Sequence, residues 1–177
     1  MTVQEFLAWD DGTDTRYELV GGRPVAMASP SPVHSRIAGN IAVALGSRLK
    51  PPCRIHTEHG VALAGYDDEH YQADVAVVCG DVCRGEPPPD PTLVVEVLSP
   101  STAGHDRERK APRYRAFVPG LQLILLVHTE SRWVERWARD GERWIVTDHI
   151  GERGEVALDA LGTGIDLAEV YEATDVG

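Results

Sequence analysis

The 177-residue chain predicts an α/β (α+β) fold, a central mixed sheet flanked by helices in the order α-β-β-β-α-β with a β-rich C-terminal extension. Two short runs, residues 92–98 and 121–127, are apolar on both faces, as strands of a sheet covered on each side must be. Between and before them lie segments whose apolar residues recur at helical spacing. After residue 130 the texture changes to alternating, tryptophan-bearing strands. With 42% hydrophobic and 25% charged residues, and no linker or repeat, one domain spanning 1–177 is expected.

Each element has a local cause. Thr2 followed by Glu5 fits a capping box that opens a short helix through about Trp9. Residues 16–27, RYELVGGRPVAM, read as a hairpin turning at Gly21-Gly22. Ser31 caps the next helix, Pro32 takes its first position, and Ile37, Ile41, Leu45 and Leu49 line one face until Pro51-Pro52. Strands are expected over about 54–64, 71–78 and 92–98, with residues 80–91 a loop on composition. Residues 105–117 form a helix that kinks or restarts at Pro112. Residues 121–127 return to the sheet. Residues 132–138 and 142–149 pair through Arg139-Asp140-Gly141-Glu142, and 166–173 close the chain as a helix.

Composition narrows the function. A formal charge of −11 argues against coating nucleic acid nonspecifically, since that binding neutralises phosphates. It leaves room for an acidic catalytic site. No apolar run is long enough for a membrane span and the N-terminus has no secretory pattern, so a cytoplasmic protein is expected. Cys53, Cys79 and Cys83 make no even framework and are expected as reduced thiols. A zinc site from Cys79, Cys83, His56, His59 and His70 is disfavoured: the spacing fits no knuckle, and residues 56 and 59 of a regular strand face opposite sides. No phosphate-binding glycine loop or serine nucleophile elbow is present, and Trp133, Trp137 and Trp144 are expected to pack the extension.

The chemistry-bearing feature is TLVVEVLSPST, residues 92–102, where Glu96 interrupts a branched apolar run. Alternation places Val94, Glu96 and Leu98 on one face and Leu93, Val95 and Val97 on the other. In the preceding strand Asp74 is likewise a single carboxylate among apolar residues. Two such acids brought together repel unless a cation joins them or they share a proton, and oxygen ligands suit Mg²⁺ or Mn²⁺.

Asp and Glu on adjacent strands, followed by a helix bearing lysine, resemble the PD-(D/E)XK nuclease superfamily. The segments YELVGGRPV, SPSPVHSRI, ADVAVV and VVEVLSPSTAGHDRERKAPRYRAFVPGLQLILLV are similar to bacterial restriction endonucleases of the Uma-two type. The resemblance implies a restriction-endonuclease-like core and metal-dependent endonuclease activity on DNA. It implies that Asp74, Glu96 and the Val97 carbonyl hold Mg²⁺ or Mn²⁺, with Glu18 in the catalytic set. It places His34, Tyr114 and Asp106 along the site, and a homodimer would follow the superfamily's habit. Two departures stand out. Ala73 replaces the proline of the superfamily signature, and Leu98 replaces its lysine. The resemblance implies that Lys110 supplies the missing charge from the following helix. Arg107 and Arg113, spaced by three on either side of Lys110, are candidates for gripping the phosphate backbone. The alternative is a catalytically silent relative that binds nucleic acid or a protein partner.

Overall fold

The computed structural model describes residues 1–81, 89–100 and 103–177, so most of the expected loop at 80–91, including Cys83, lies outside the described residues. The elements are α1 (Val3–Ala8), β1 (Tyr17–Val20), β2 (Arg23–Ala26), α2 (Pro32–Gly46), β3 (Cys53–Ala62), β4 (His70–Cys79) and β5 (Pro91–Leu98). A helical segment follows: α3 (Ala103–His105), a π turn (Asp106–Lys110) and α4 (Ala111–Phe117). Then come β6 (Leu123–His128), β7 (Trp133–Asp140), β8 (Arg143–Ile150), β9 (Glu155–Leu158), β10 (Thr163–Asp166) and α5 (Leu167–Val170).

The local signals act as their chemistry requires. Thr2 and Glu5 exchange both bonds of a capping box on α1, and Ser31 accepts from the His34 N–H to start α2. Gly21 and Gly22 both take positive φ in the β1–β2 turn, which side chains resist. Pro112 falls at the start of α4, just past the π turn. The Ala111 N–H bonds the Asp106 carbonyl five residues back, and α4 begins with the proline in its first turn.

The main sheet runs β2-β1-β4-β5-β6-β7-β8, with β3 also paired to β4. Among the described strands only β5 and β6 pair in parallel, as the helical crossover between them demands. One face carries Leu93, Val95 and Val97 against Ile37, Ile41 and Leu45 of α2 and the β9–β10 hairpin. The other carries Val94 and Leu98 against Ala111 and Tyr114 of α4. Period-two alternation in β5 is thus obeyed.

Three expectations need correction. Cys53 and Cys79 are not reduced: they form the terminal cross-strand pair of β3 and β4 and are joined as a disulfide. His56 and His59 do not face opposite sides, their ring centroids lying 5.3 Å apart. Between them Glu58 has φ 54°, a left-handed residue that breaks the alternation. The third is an omission. The β9–β10 hairpin was not anticipated, and the closing helix is only four residues long.

Candidate active site

A split in the sheet creates the site. Along one edge β3 follows β4 from Cys79 to His70. Along the other edge β5 pairs with β4 only as far as Val75, and β1 takes over at His70. Across the gap the backbone of Gln72 and Val97 needs other partners, because unpaired buried peptide groups are costly. Side chains supply them. Glu18 of β1 accepts from the Gln72 N–H at 2.9 Å, Lys110 donates to the Gln72 carbonyl at 3.0 Å, and Asp74 accepts from the Val97 N–H at 2.7 Å. The same crossing moves β4 between cores: Tyr71 and Ala73 pack with α4, Val75 and Val77 with α2. Asp74 sits at the change of face.

Lys110 is the centre of the charge cluster. Its Nζ lies 2.8 Å from Glu18, 3.2 Å from Glu96 and 3.3 Å from Asp106, with only 4% of the residue exposed. A four-residue step in an α-helix overshoots a turn by about 40°. The wider π turn offsets that drift, so Asp106, Lys110 and Tyr114 all address the same region of the sheet. Tyr114, fully buried, donates to Glu96 at 2.8 Å. Leu98 is core beneath this helix, and the Lys110 ammonium lies 3.2 Å from Glu96.

Burial lowers the affinity of Lys110 for its proton, but Glu96, Glu18 and Asp106 outweigh it and hold the ammonium above its ordinary range. For Glu96 burial dominates and pushes the carboxyl well above the usual value; Asp106 and Asp74 push the same way against Lys110 and Tyr114. Glu18 goes the other way. Burial opposes its ionisation, yet bonds from His105 and Lys110 and the Gln72 N–H leave it lowered. Lys110 is therefore held in its charged form, and Glu96 is held toward its protonated form.

These groups line a cavity of about 730 Å³ with Asp74, His34, His105 and the small-residue segment from Val25 to Ser31. His34 faces Asp74 at 3.3 Å from the first turn of α2. His105, which sequence reasoning passed over, stands 3.4 Å from Glu18. Its only sequence signal was its place just before Asp106. The structure thus gathers Glu18, His34, Asp74, Glu96, Val97, Asp106 and Lys110 at one cavity, with Tyr114 behind Glu96. Arg107 and Arg113 are not among its walls. Arg107 pairs with Glu135 and lies over Trp133, while Arg113 joins Arg109 on the buried Glu69. His128, beside them, stacks on Trp133 and pairs with Glu135.

A split sheet with carboxylates from two adjacent strands and a helix-borne lysine defines a nuclease-type α/β fold. The family described as "Uma2: Putative restriction endonuclease" matches residues 3–168, and the chain belongs to it. Two Synechocystis sp. proteins, each called uncharacterized, are relatives. The one named sll1609 is 26% identical over 91% of this chain and 94% of its own length; slr1290 is 29% identical over 94% and 90%. A crystal structure from Anabaena variabilis, described as a "putative nuclease belonging to DUF820", superposes with a TM-score of 0.78 at 17% identity, covering 97% of both chains. That likeness is one of fold.

Proposed function

We propose that the protein is a metal-dependent endonuclease that hydrolyses DNA phosphodiester bonds in this cavity. The observation that carries the reading is charge. Five carboxylates, Glu18, Glu58, Asp74, Glu96 and Asp106, line the cavity against Arg16 and Lys110. A hard cation offsets that excess, and two carboxylates with a main-chain carbonyl are a chemically suitable donor set. Among the described residues no three His, Cys, Asp or Glu side chains form a metal cluster by themselves. The set proposed for Mg²⁺ or Mn²⁺ is the one the family resemblance implies, Asp74, Glu96 and the Val97 carbonyl.

Such an ion, when bound, lowers the pKa of its water and polarises the phosphate. The chain's own residues do the rest. Asp74, tied to the Val97 N–H, and Glu96, tied to Tyr114, hold their oxygens in place before substrate arrives. Lys110, held in its charged form, serves to offset charge growing on the phosphoryl oxygens and not as a base. Water's oxygen attacks phosphorus, the bond from phosphorus to the ester oxygen breaks, and that oxygen leaves with the proton water gives up; His34 and His105 are the imidazoles that line the cavity. Family membership supports a nucleic-acid substrate. No helix among the described residues is long and apolar enough to cross a membrane, which fits the proposed cytoplasmic setting, and a homodimer remains part of the proposal.

Incubating the purified protein with plasmid and Mg²⁺ or Mn²⁺ tests this. Nicking or linearisation is expected, with loss of at least a hundredfold in Asp74→Ala and Glu96→Ala. Arg48→Ala, in an ion pair with Glu169 outside this cavity, is expected to cleave as wild type does. Equal cleavage by the carboxylate variants would place the chemistry elsewhere. No cleavage by any variant, with oligonucleotide binding intact, would favour the silent-relative alternative.

A further inference from the structure

We infer that Arg16, tethered at the cavity rim by Glu58, is the residue that grips a substrate phosphate beside the scissile bond; this rests on the phosphodiesterase reading above. The basic stretch of the π turn and α4 cannot serve from where it stands. Arg107, Arg109 and Arg113 are bound to Glu135 and Glu69, carboxylates that are 6% and 3% exposed, Arg115 lies over Trp137, and none of these arginines lines the cavity. Lys110 does line it, but at 4% exposure and with Glu18, Glu96, Asp106 and the Gln72 carbonyl as partners it is committed to the floor. Among the described lining residues Arg16 is the remaining lysine or arginine.

The chemistry of Arg16 suits the task. Its side chain is 37% exposed and one terminal nitrogen pairs with Glu58, itself 58% exposed. Pairs this wet contribute little, so exchanging the carboxylate for a phosphate is cheap. A guanidinium has five donors in a planar fork that matches two phosphate oxygens, and Glu58 engages one end of it.

Glu58 is equally specific. It takes a left-handed backbone at φ 54° in mid-strand, a conformation non-glycine residues avoid. Its carbonyl is pinned by the Gln72 side-chain amide at 3.0 Å. Gln72 is also the residue whose backbone bonds Glu18 and Lys110. The tether at the rim and the charge cluster on the floor are thus fixed to one residue. Glu58 holds Arg16 over an acidic cavity, keeps it from collapsing onto the floor carboxylates, and yields it when a phosphate enters.

Fluorescence anisotropy with a short labelled oligodeoxynucleotide tests this, with Ca²⁺ replacing Mg²⁺ to hold off hydrolysis. Arg16→Gln is expected to weaken binding about tenfold and to lower the salt-dependence slope by roughly one counterion. Arg16→Lys is expected to fall between it and wild type. Glu58→Gln, which frees the arginine and removes a negative charge, is expected to tighten binding several-fold. Thermal melts by circular dichroism verify that each variant is folded. Opposite signs for the two positions carry the inference. A purely structural ion pair would make both variants melt earlier and shift binding alike, and that result overturns it, as does unchanged binding in Arg16→Gln. If wild type itself binds no oligonucleotide, the phosphodiesterase reading falls and this inference with it.

Discussion

Removing the ammonium of Lys110 leaves Glu18, Glu96 and Asp106 facing one another in the core, with one positive charge gone from their midst. Breaking a buried ionic cluster by deleting one partner costs about 3–5 kcal/mol. Lys110→Met is therefore expected to lose stability on that order in urea unfolding, and adding Glu96→Gln is expected to restore part of it. A Lys110→Met protein as stable as wild type would refute the cluster's arrangement. A second single-residue effect concerns His59. Burial, with His56 and His70 adding, lowers its pKa from 6.5 to about 4, and its Nε2 is buried without a partner. The folded state therefore binds this proton less well than the unfolded chain does. Its contribution is complete above about pH 6.5 and is lost as pH falls toward about 4. The loss is on the order of 3 kcal/mol, and His59→Phe should flatten that part of the stability–pH curve. Glu96 was legible in the sequence because an acid in an apolar strand demands a partner. Lys110 was legible through the family resemblance alone. The engagement of Arg109 and Arg113 was hidden, because Glu69 lies some forty residues upstream and only the folded sheet brings it beneath them.

At the level of elements, what the sequence encoded locally was readable and what depended on strand crossing was not. Caps, the glycine turn and the β5 alternation each rest on a few adjacent residues. The change of face at Asp74 rests on β1 displacing β5 along β4, which no local pattern announces. Glu58 gave no warning, since glutamate is a poor marker for positive φ. Gly60 did give one: a Cβ there would meet the His70 ring at 2.7 Å, and a strand glycine often marks close approach. Glu155–Leu158 and Thr163–Asp166 are too short for periodicity to register. One element carries a liability. β8 ends the sheet order, and Ile145, Val146 and Ile150 are 51%, 44% and 71% exposed on it. Long apolar edges invite strand addition unless a charge or proline blocks them. Val146→Lys is expected to reduce concentration-dependent light scattering while shifting the melting temperature by no more than a degree or two. Unchanged scattering would mean that this edge is not where copies associate.

For the molecule as a whole, the split sheet would couple folding to the proposed ion. Its proposed ligands come from β4 and β5, Lys110 from the crossover between β5 and β6, and Glu18 from a hairpin over fifty residues upstream of Asp74. These groups converge only in the folded chain, so a divalent ion binding here favours the native state by mass action. At a hundredfold excess over its dissociation constant the gain is about 2.7 kcal/mol. Folding brings Asp74, Glu96 and Asp106 near one another at a cost to Glu96, whose carboxyl is driven toward protonation. An ion at Asp74 and Glu96 relieves that cost, and protons compete with it as pH falls. Millimolar Mn²⁺ is therefore expected to raise the melting temperature by several degrees at neutral pH, less in mildly acidic buffer, and not at all in Asp74→Asn. EDTA should reverse the rise. If Mn²⁺ leaves the wild-type melt unchanged, or raises Asp74→Asn equally, the cavity does not hold the ion, and the excess of carboxylates around Lys110 must be met by protonation of Glu96.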